Sequence, residues 1–312
     1  MFWMPVLERP FLYAADSPMA EVYGTLEKAL DHAATVLIEG ESGTGKDALA
    51  CWLHYNSRRR EAPLTKINFS AMPIDLIESE LFGYERGAFT GASGTKRGKF
   101  ELAEGGTLVL DEIASVGTSL QSKLLEAVES KAFFRLGGSE PVTVDARIIA
   151  LSSVPLARAV EERTFRGDLF FRLNLITVTV PPLRERPMDL PGLTRVLLDE
   201  IQHRYQRAEY TLTPDAQAVV RQYSFPGNVR ELRNGLERAI LGAEDHRIRP
   251  GDLPEAWRLR HRSADIGSLE DVEREHIRRV LDHTRGRKQE AADILGITRK
   301  TLLEKRKKYG FE

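Results

Sequence analysis

The segment Gly40-Glu41-Ser42-Gly43-Thr44-Gly45-Lys46 constrains this chain more than any other. It follows an apolar run, Thr35-Val36-Leu37-Ile38-Glu39, and opens a helical stretch near 45–58. Strand, glycine-rich loop, lysine and helix in that order are the setting of a phosphate-binding loop. The glycines let backbone N–H groups turn inward around the β- and γ-phosphates, the helix N-terminus adds its dipole, and Lys46 adds a point charge. A Gly/Ser/Thr loop elsewhere would be an ordinary turn; the strand-to-helix context makes this one a nucleotide site. Asp47 stands where the general pattern has a Ser or Thr whose hydroxyl helps hold Mg2+. The metal is therefore expected to rely more on a second motif and on water.

From about 34 to 180, short β-rich runs (ATVLIEG, TKINFS, TLVLDE, ARIIALSS, ITVTVP) alternate with helical stretches, the pattern of an α/β fold with a parallel sheet. After Pro181-Pro182 the β runs stop, and helices near 189–206, 214–223 and 228–243 predict an all-α second domain. RLRHRSADIGS, 258–268, has almost no apolar periodicity and reads as a linker, with further helices beyond it. The expected boundaries are 1–182, 183–257, 258–268 and 269–312.

Charge supports that division. The chain nets -1, but residues 258–312 hold 15 Lys and Arg against 10 Asp and Glu, a net of +5 that leaves -6 for residues 1–257. A basic tail on an acidic body fits a phosphate backbone as partner, although a solvated basic helix has the same count. A single cysteine, Cys51, excludes a disulfide scaffold and a zinc-finger cluster and suits a reducing cytosol. No stretch reaches the roughly 18 to 20 apolar residues that cross a bilayer. The N-terminal MFWMPVLERP lacks a basic region and a cleavage site. A soluble, cytoplasmic protein with no membrane partner is expected.

The second motif is Gly106-Thr107-Leu108-Val109-Leu110-Asp111-Glu112, an apolar strand ending in two carboxylates. Open α/β sheets bind ligands at that edge. Asp111 is the expected Mg2+ ligand, and Glu112 can polarise a water for in-line attack on a γ-phosphate. An isolated acidic pair would be a solvated turn.

Between the two motifs lies Gly87-Ala88-Phe89-Thr90-Gly91-Ala92, within ESELFGYERGAFTGA. This hexapeptide resembles the signature loop of the AAA+ bacterial enhancer-binding proteins that activate sigma-54 RNA polymerase. The resemblance runs from about Ser17 through Arg238, including FRGDLFFRLN, VPPLRER and FPGNVRELRN, and resumes at the tail. It implies an AAA+ P-loop ATPase core with a helical lid that uses ATP and Mg2+. It further implies a homo-oligomer, from dimer to hexamer, that binds upstream double-stranded enhancer DNA and remodels the closed promoter complex. By the same resemblance, Gly87 to Ala92 contact the sigma factor, with Phe89 and Thr90 at the tip. Glycines at both ends permit a mobile hairpin, and an exposed Phe between them calls for a partner.

The resemblance also assigns Arg166 and Arg172 as arginines that reach a neighbouring subunit's nucleotide, a contribution worth about 10³ to 10⁵ in rate. Arg230 matches the lid arginine that senses the γ-phosphate. Asn68 matches the switch asparagine that holds the catalytic glutamate, here Glu112, in an inactive pose; an Asn ending a strand is also an ordinary turn former. Ser152-Ser153 replaces the family's common Thr-Asn, a departure expected to alter the link between hydrolysis and loop movement while binding survives.

In RKQEAADILGITRKTLLEKRKKYG, 287–310, Ala291, Ala292 and Leu295 form a small apolar face, Gly296 permits a turn, and Ile297, Leu302 and Leu303 pack a second helix. The segment resembles a factor-for-inversion-stimulation type helix-turn-helix. Thr298 is the expected N-cap, Arg299 and Lys300 face bases or phosphates, and Lys305, Arg306, Lys307 and Lys308 suit the backbone. LEDVEREHIRRVLDH, 269–283, is expected to form a dimer interface.

With the phosphate loop beginning at residue 40, no sensory domain is expected ahead of it. Control by expression level or by a trans-acting regulator is expected. Two other readings are a DNA-binding repressor with a vestigial ATPase and a different AAA+ remodeller such as a helicase loader. The complete hexapeptide and both arginines argue against the first; the hexapeptide with the terminal helix-turn-helix argues against the second.

Overall fold

The computed structural model describes residues 13–206, 209–243, 245–264, 273–274, 276–278, 280–281, 284 and 287–311. Helix α1 (Met19–Ala29) precedes strand β1 (Val36–Glu39), α2 (Lys46–Tyr55), β2 (Leu64–Asn68), α3 (Ile74–Phe82) and α4 (Lys99–Leu102). Then come β3 (Thr107–Asp111), α5 (Thr118–Ser130), β4 (Arg147–Ser152), α6 (Leu156–Glu161), α7 (Gly167–Leu173) and β5 (Ile176–Thr179). These five strands are the five β-rich runs of the sequence. They form one parallel sheet in the order β2-β3-β4-β1-β5.

Strand periodicity explains why both faces are apolar. Leu37, Leu108, Leu110, Ile148 and Ala150 point into one core with Phe82, Phe100, Leu124 and Leu169. Their neighbours Val36, Ile38, Val109, Ile149 and Leu151 point into the other, against Tyr23, Leu26, Leu49 and Leu53. Residues alternate between faces with period two, so a strand covered by helices on both sides must be hydrophobic throughout. What the sheet cannot bury is its carboxyl edge, where loops carry the polar motifs.

The second domain contains α8 (Leu190–Arg204), α9 (Pro214–Gln222), α10 (Asn228–Gly242) and α11 (Glu255–Ala264). Its core gathers Leu193, Leu197, Val219, Leu232, Leu236 and Trp257. Helix α11 corrects the expected linker: residues 258–264 are helical, and 265–268 lie outside the described residues. Trp257 anchors that helix. It is 1% exposed and packs its ring against Phe225 and Tyr223.

In the tail, α12 (Lys288–Leu295) and α13 (Arg299–Tyr309) meet through Ala291, Ala292 and Leu302. Gly296 takes the left-handed conformation at the turn, and Thr298 caps α13 by accepting the Thr301 N–H. Leu303 does not share the packing expected of it. It is 44% exposed, because adjacent helical positions diverge by about 100° and Leu302 already faces α12. The expected dimer helix 269–283 lies partly outside the described residues; 273–274, 276–278 and 280–281 are helical.

Gly235 on α10 leaves no room for a side chain, since a Cβ there would lie 2.2 Å from the Trp257 ring. Gly235→Ala is therefore expected to destabilise the lid by about 1–3 kcal/mol through overpacking. Gly242→Ala, whose Cβ would meet nothing within 4 Å, serves as control. Calorimetry should show a lower unfolding midpoint for the first only; equal midpoints would contradict the packing argument.

Candidate nucleotide site and protein-contact loop

The phosphate loop leaves β1 and enters α2 through three glycines with positive φ, Gly40, Gly43 and Gly45. Lys46 is 7% exposed, and its ammonium donates to the carbonyls of Gly40 (2.6 Å) and Glu41 (3.2 Å). Burial pushes its pKa down, while Glu112, Asp111 and Asp47 act in the opposite direction. A desolvated ammonium held against the loop at the N-terminus of a helix is suited to an anion.

The lid lies directly on this loop. The Arg230 N–H donates to the Gly43 carbonyl (3.2 Å) and its guanidinium to Ser42 Oγ (2.8 Å). Fully buried Asn228 donates to the Ser42 carbonyl (3.0 Å) and to Glu41 (3.2 Å), while its own oxygen accepts the Leu183 N–H (2.8 Å). Arg184 grips the Glu41 carboxylate with two bonds of 2.7 and 2.8 Å. Those bonds, with that from Asn228, hold the Glu41 pKa near 2. The contribution of this pair to folding is thus complete above the ordinary carboxylate range and is lost only as pH falls toward 2. Buried Arg186 donates to the Thr44 carbonyl from below (3.0 Å).

At the end of β3 the two carboxylates have different partners. Asp111 Oδ2 accepts from Asn68 (2.7 Å) and from the Lys66 ammonium (2.9 Å), and Lys66 also binds Asp47. Asn68 and Asp111 are register partners across the parallel β2–β3 pair, so the Asn68 amide reaches Asp111. This corrects the expected Asn68 to Glu112 contact. Glu112 takes a left-handed backbone, φ 55°, and its Oε2 accepts a 2.6 Å bond from Ser153 Oγ. The adjacent Ser152 hydroxyl donates to the Val154 carbonyl, 2.5 Å.

Other predicted residues lie apart from this cluster. Exposed Arg166 binds Asp168 through 2.7 and 3.0 Å bonds and Ser122 at 3.0 Å. Half-buried Arg172 lies on α7 beside Phe171, which is 72% exposed. Gly87 and Gly91 both have positive φ, and the Gly87 N–H closes the loop onto the Ala92 carbonyl (2.9 Å). Thr90 is exposed; Phe89 is 46% exposed and rests edge-on against Tyr84. Ala88 sits against Gly137 of the neighbouring loop. Arg135 ties the base of both loops together, binding Glu85 (2.6 Å) and buried Glu101 (2.7 and 2.8 Å). In the tail, Arg299 and Lys300 are exposed, whereas Lys305 is paired with Glu273 at 2.6 Å.

A parallel sheet with a phosphate loop and a carboxylate-ended strand at its carboxyl edge, roofed by a helical lid, defines an AAA+ P-loop ATPase core. The description "Sigma-54 interaction domain" matches residues 12–179, "AAA+ ATPase lid domain" residues 184–269, and "Bacterial regulatory protein, Fis family" residues 268–309. The transcriptional regulatory protein ZraR of Klebsiella oxytoca is 42% identical over 311 residues, covering 96% of this chain and 70% of the relative. The DNA-binding transcriptional regulator NtrC of Escherichia coli is 39% identical, covering 94% and 69%. The crystal structure of NtrX from Brucella abortus in complex with ATP superposes with a TM-score of 0.75 at 31% identity, covering 97% of this chain and 70% of that one. The chain belongs to the sigma-54-dependent transcriptional activators. Among the described residues, no helix is long and apolar enough to cross a membrane.

Sequence reading missed Asn228, Arg184, Arg186, Lys66 and Arg135. Each acts through a partner more than 18 residues away in the chain, so no local spacing announces it. Asn228→Ala is expected to loosen the lid by about 1–3 kcal/mol, the scale of stranding buried polar groups. Asn228 takes a left-handed backbone, φ 53°, which Asn228→Gly relieves, so that variant should recover only part of the loss. Urea midpoints measure both; a parental midpoint in both variants would show that the amide does not hold the lid.

Proposed function

We propose that this chain hydrolyses ATP and uses the energy to remodel the sigma-54 RNA polymerase closed complex through the loop Gly87 to Ala92, while its tail holds upstream DNA. The observation that carries this reading is the pairing of a lid-clamped phosphate loop with an exposed glycine-flanked loop on the same α/β domain. Backbone N–H groups of the loop and α2, with Lys46, would cradle the β- and γ-phosphates. Glu112 would polarise the attacking water. Arg230, already on the loop at Ser42, would report the γ-phosphate to the lid.

Magnesium fits Asp111. Both bonds to that carboxylate fall on Oδ2, leaving Oδ1 for a cation. Among the described residues, no cluster of three or more His, Cys, Asp or Glu could hold a metal. That suits an ion bound by one carboxylate, water and phosphate oxygens. Asp111 would hold the ion, whose positive charge would offset the charge that develops on the transferring phosphoryl group.

Arg166 and Arg172 would reach a neighbouring subunit's nucleotide. Phe171 and Leu175, 72% and 56% exposed beside Arg172, give that face the apolar surface an interface between copies would bury. Thr298, Arg299 and Lys300 would enter the major groove, with Arg306 near the phosphates. Lys305 would first have to leave Glu273.

The test is transcription from a sigma-54 promoter with the parent chain, Thr90→Ala and Lys46→Ala. ATP-dependent activation is expected from the parent. Thr90→Ala should lose activation while retaining ATP turnover, and Lys46→Ala should lose both. A parent chain that hydrolyses ATP without activating transcription would overturn the remodelling reading.

A further inference from the structure

We propose that Lys66 is a built-in counter-cation for the Asp47–Asp111 pair, so that a divalent ion binds there weakly until nucleotide supplies further oxygen ligands. The proposal rests on the reading of Asp111 as the Mg2+ carboxylate. Three observations support it.

The first is convergence. The Lys66 ammonium donates to Asp111 Oδ2 at 2.9 Å and to Asp47 Oδ1, so one nitrogen touches an oxygen of each carboxylate. The two acids come from remote parts of the chain, Asp47 from the first turn of α2 and Asp111 from the end of β3. Two carboxylates meeting at one point suit a hard divalent cation. Here a side-chain cation fills that point. The second observation is that nothing else neutralises the pair by contact. Lys46, next to Asp47 in sequence, spends its ammonium on the Gly40 and Glu41 carbonyls. Among the described residues, Lys66 is the one cation in ion-pair contact with either acid.

The third is strand geometry. On β2, Ile67 points into the core that holds Leu108 and Leu110, whereas Leu64 packs on the opposite side with Leu49 and Leu53 of α2. Side chains alternate along a strand, so Lys66 shares the α2 side of the sheet with Leu64 and Asn68. Its register partner is Val109, two residues short of the Asn68–Asp111 pair. The long lysine stem spans that step and reaches the start of α2 as well as the end of β3. Asn68 then donates to the same Asp111 Oδ2 (2.7 Å), which leaves the Lys66 contact on the oxygen it shares with the amide. The electrostatic consequence follows directly. Without Lys66 two negative charges would stand beside the phosphate loop, attracting a free cation and repelling the phosphates; the ammonium cancels one of them.

Mn2+, a paramagnetic substitute for Mg2+, is titrated into the nucleotide-free full chain, and the unbound ion is read by electron paramagnetic resonance. The parent is compared with Lys66→Met, Lys66→Arg and the double variant Lys66→Met with Asp111→Asn. Lys66→Met keeps the stem and removes the charge, and is expected to bind Mn2+ about 10-fold more tightly than the parent, the scale of a unit charge in contact with the ligands. Lys66→Arg keeps the charge and should match the parent, and the double variant should lose the gain. No gain in Lys66→Met, or an equal gain in Lys66→Arg, would overturn the proposal. A gain that survives in the double variant would place the ion away from Asp111 and would do the same. The affinity of a non-hydrolysable ATP analogue, with and without Mn2+, tests the underlying reading separately. If Asp111→Asn alone keeps the full Mn2+-dependent gain in analogue affinity, the Mg2+ assignment of Asp111 fails instead.

Discussion

The backbone of the phosphate loop is the constraint on which the rest of the structure depends. A Cβ at Gly40 would lie 2.7 Å from the Val180 carbonyl, and one at Gly43 would lie 2.4 Å from the Gly227 carbonyl. The loop is thus wedged between the chain leaving β5 and the turn that starts α10. Only glycine combines that proximity with φ of 148° and 80°. Sheet, loop and lid are therefore packed as one unit, and an anion that rearranges the loop must displace a lid contact. Arg230 and Asn228 bind loop carbonyls directly, so they can respond to changes in the loop backbone as well as to ligand charge.

The same sheet edge separates the two adjacent acids. Asp111 is held from the β2 side by Asn68 and Lys66, and Glu112 from the β4 side by Ser153. Register and strand order produce that separation. Residues adjacent in sequence at a strand end turn to different neighbours, so two carboxylates can occupy one edge without sharing partners. The exposed loop Gly87 to Ala92 is anchored by a comparable device. Arg135 bridges Glu85 at the loop base and Glu101 on α4, the short helix just ahead of β3. A rigid ionic link thus joins the base of the exposed loop to the approach to the carboxylate strand.

The three central strands β1, β3 and β4 were legible because a strand buried on both faces is largely apolar, and the edge strands β2 and β5 because their β-branched residues sit in short runs with buried and exposed positions mixed; the motifs were legible because phosphate chemistry demands glycine, lysine and acid at fixed spacing. The lid helices followed from proline and glycine punctuation. Residues 258–264 misled because a helix anchored at one end by Trp257 needs little periodicity beyond that anchor. The Asn68 expectation failed for a different reason. Motif matching gives a residue's position, whereas its hydrogen-bond partner is set by register, here with Asp111. Long-range partners such as Glu41 with Arg184, or Thr44 with Arg186, have no local signal because the lid is folded back over more than a hundred residues of chain.

That the lid responds to nucleotide through the loop backbone is tested most directly by amide hydrogen exchange with and without a non-hydrolysable ATP analogue. The Arg230 N–H, which donates to the Gly43 carbonyl, is the reporter. Protection is expected to change together across 40–46 and 228–231, with the rest of α10 unaltered. A change confined to 40–46, with 228–231 exchanging as before, would contradict the account.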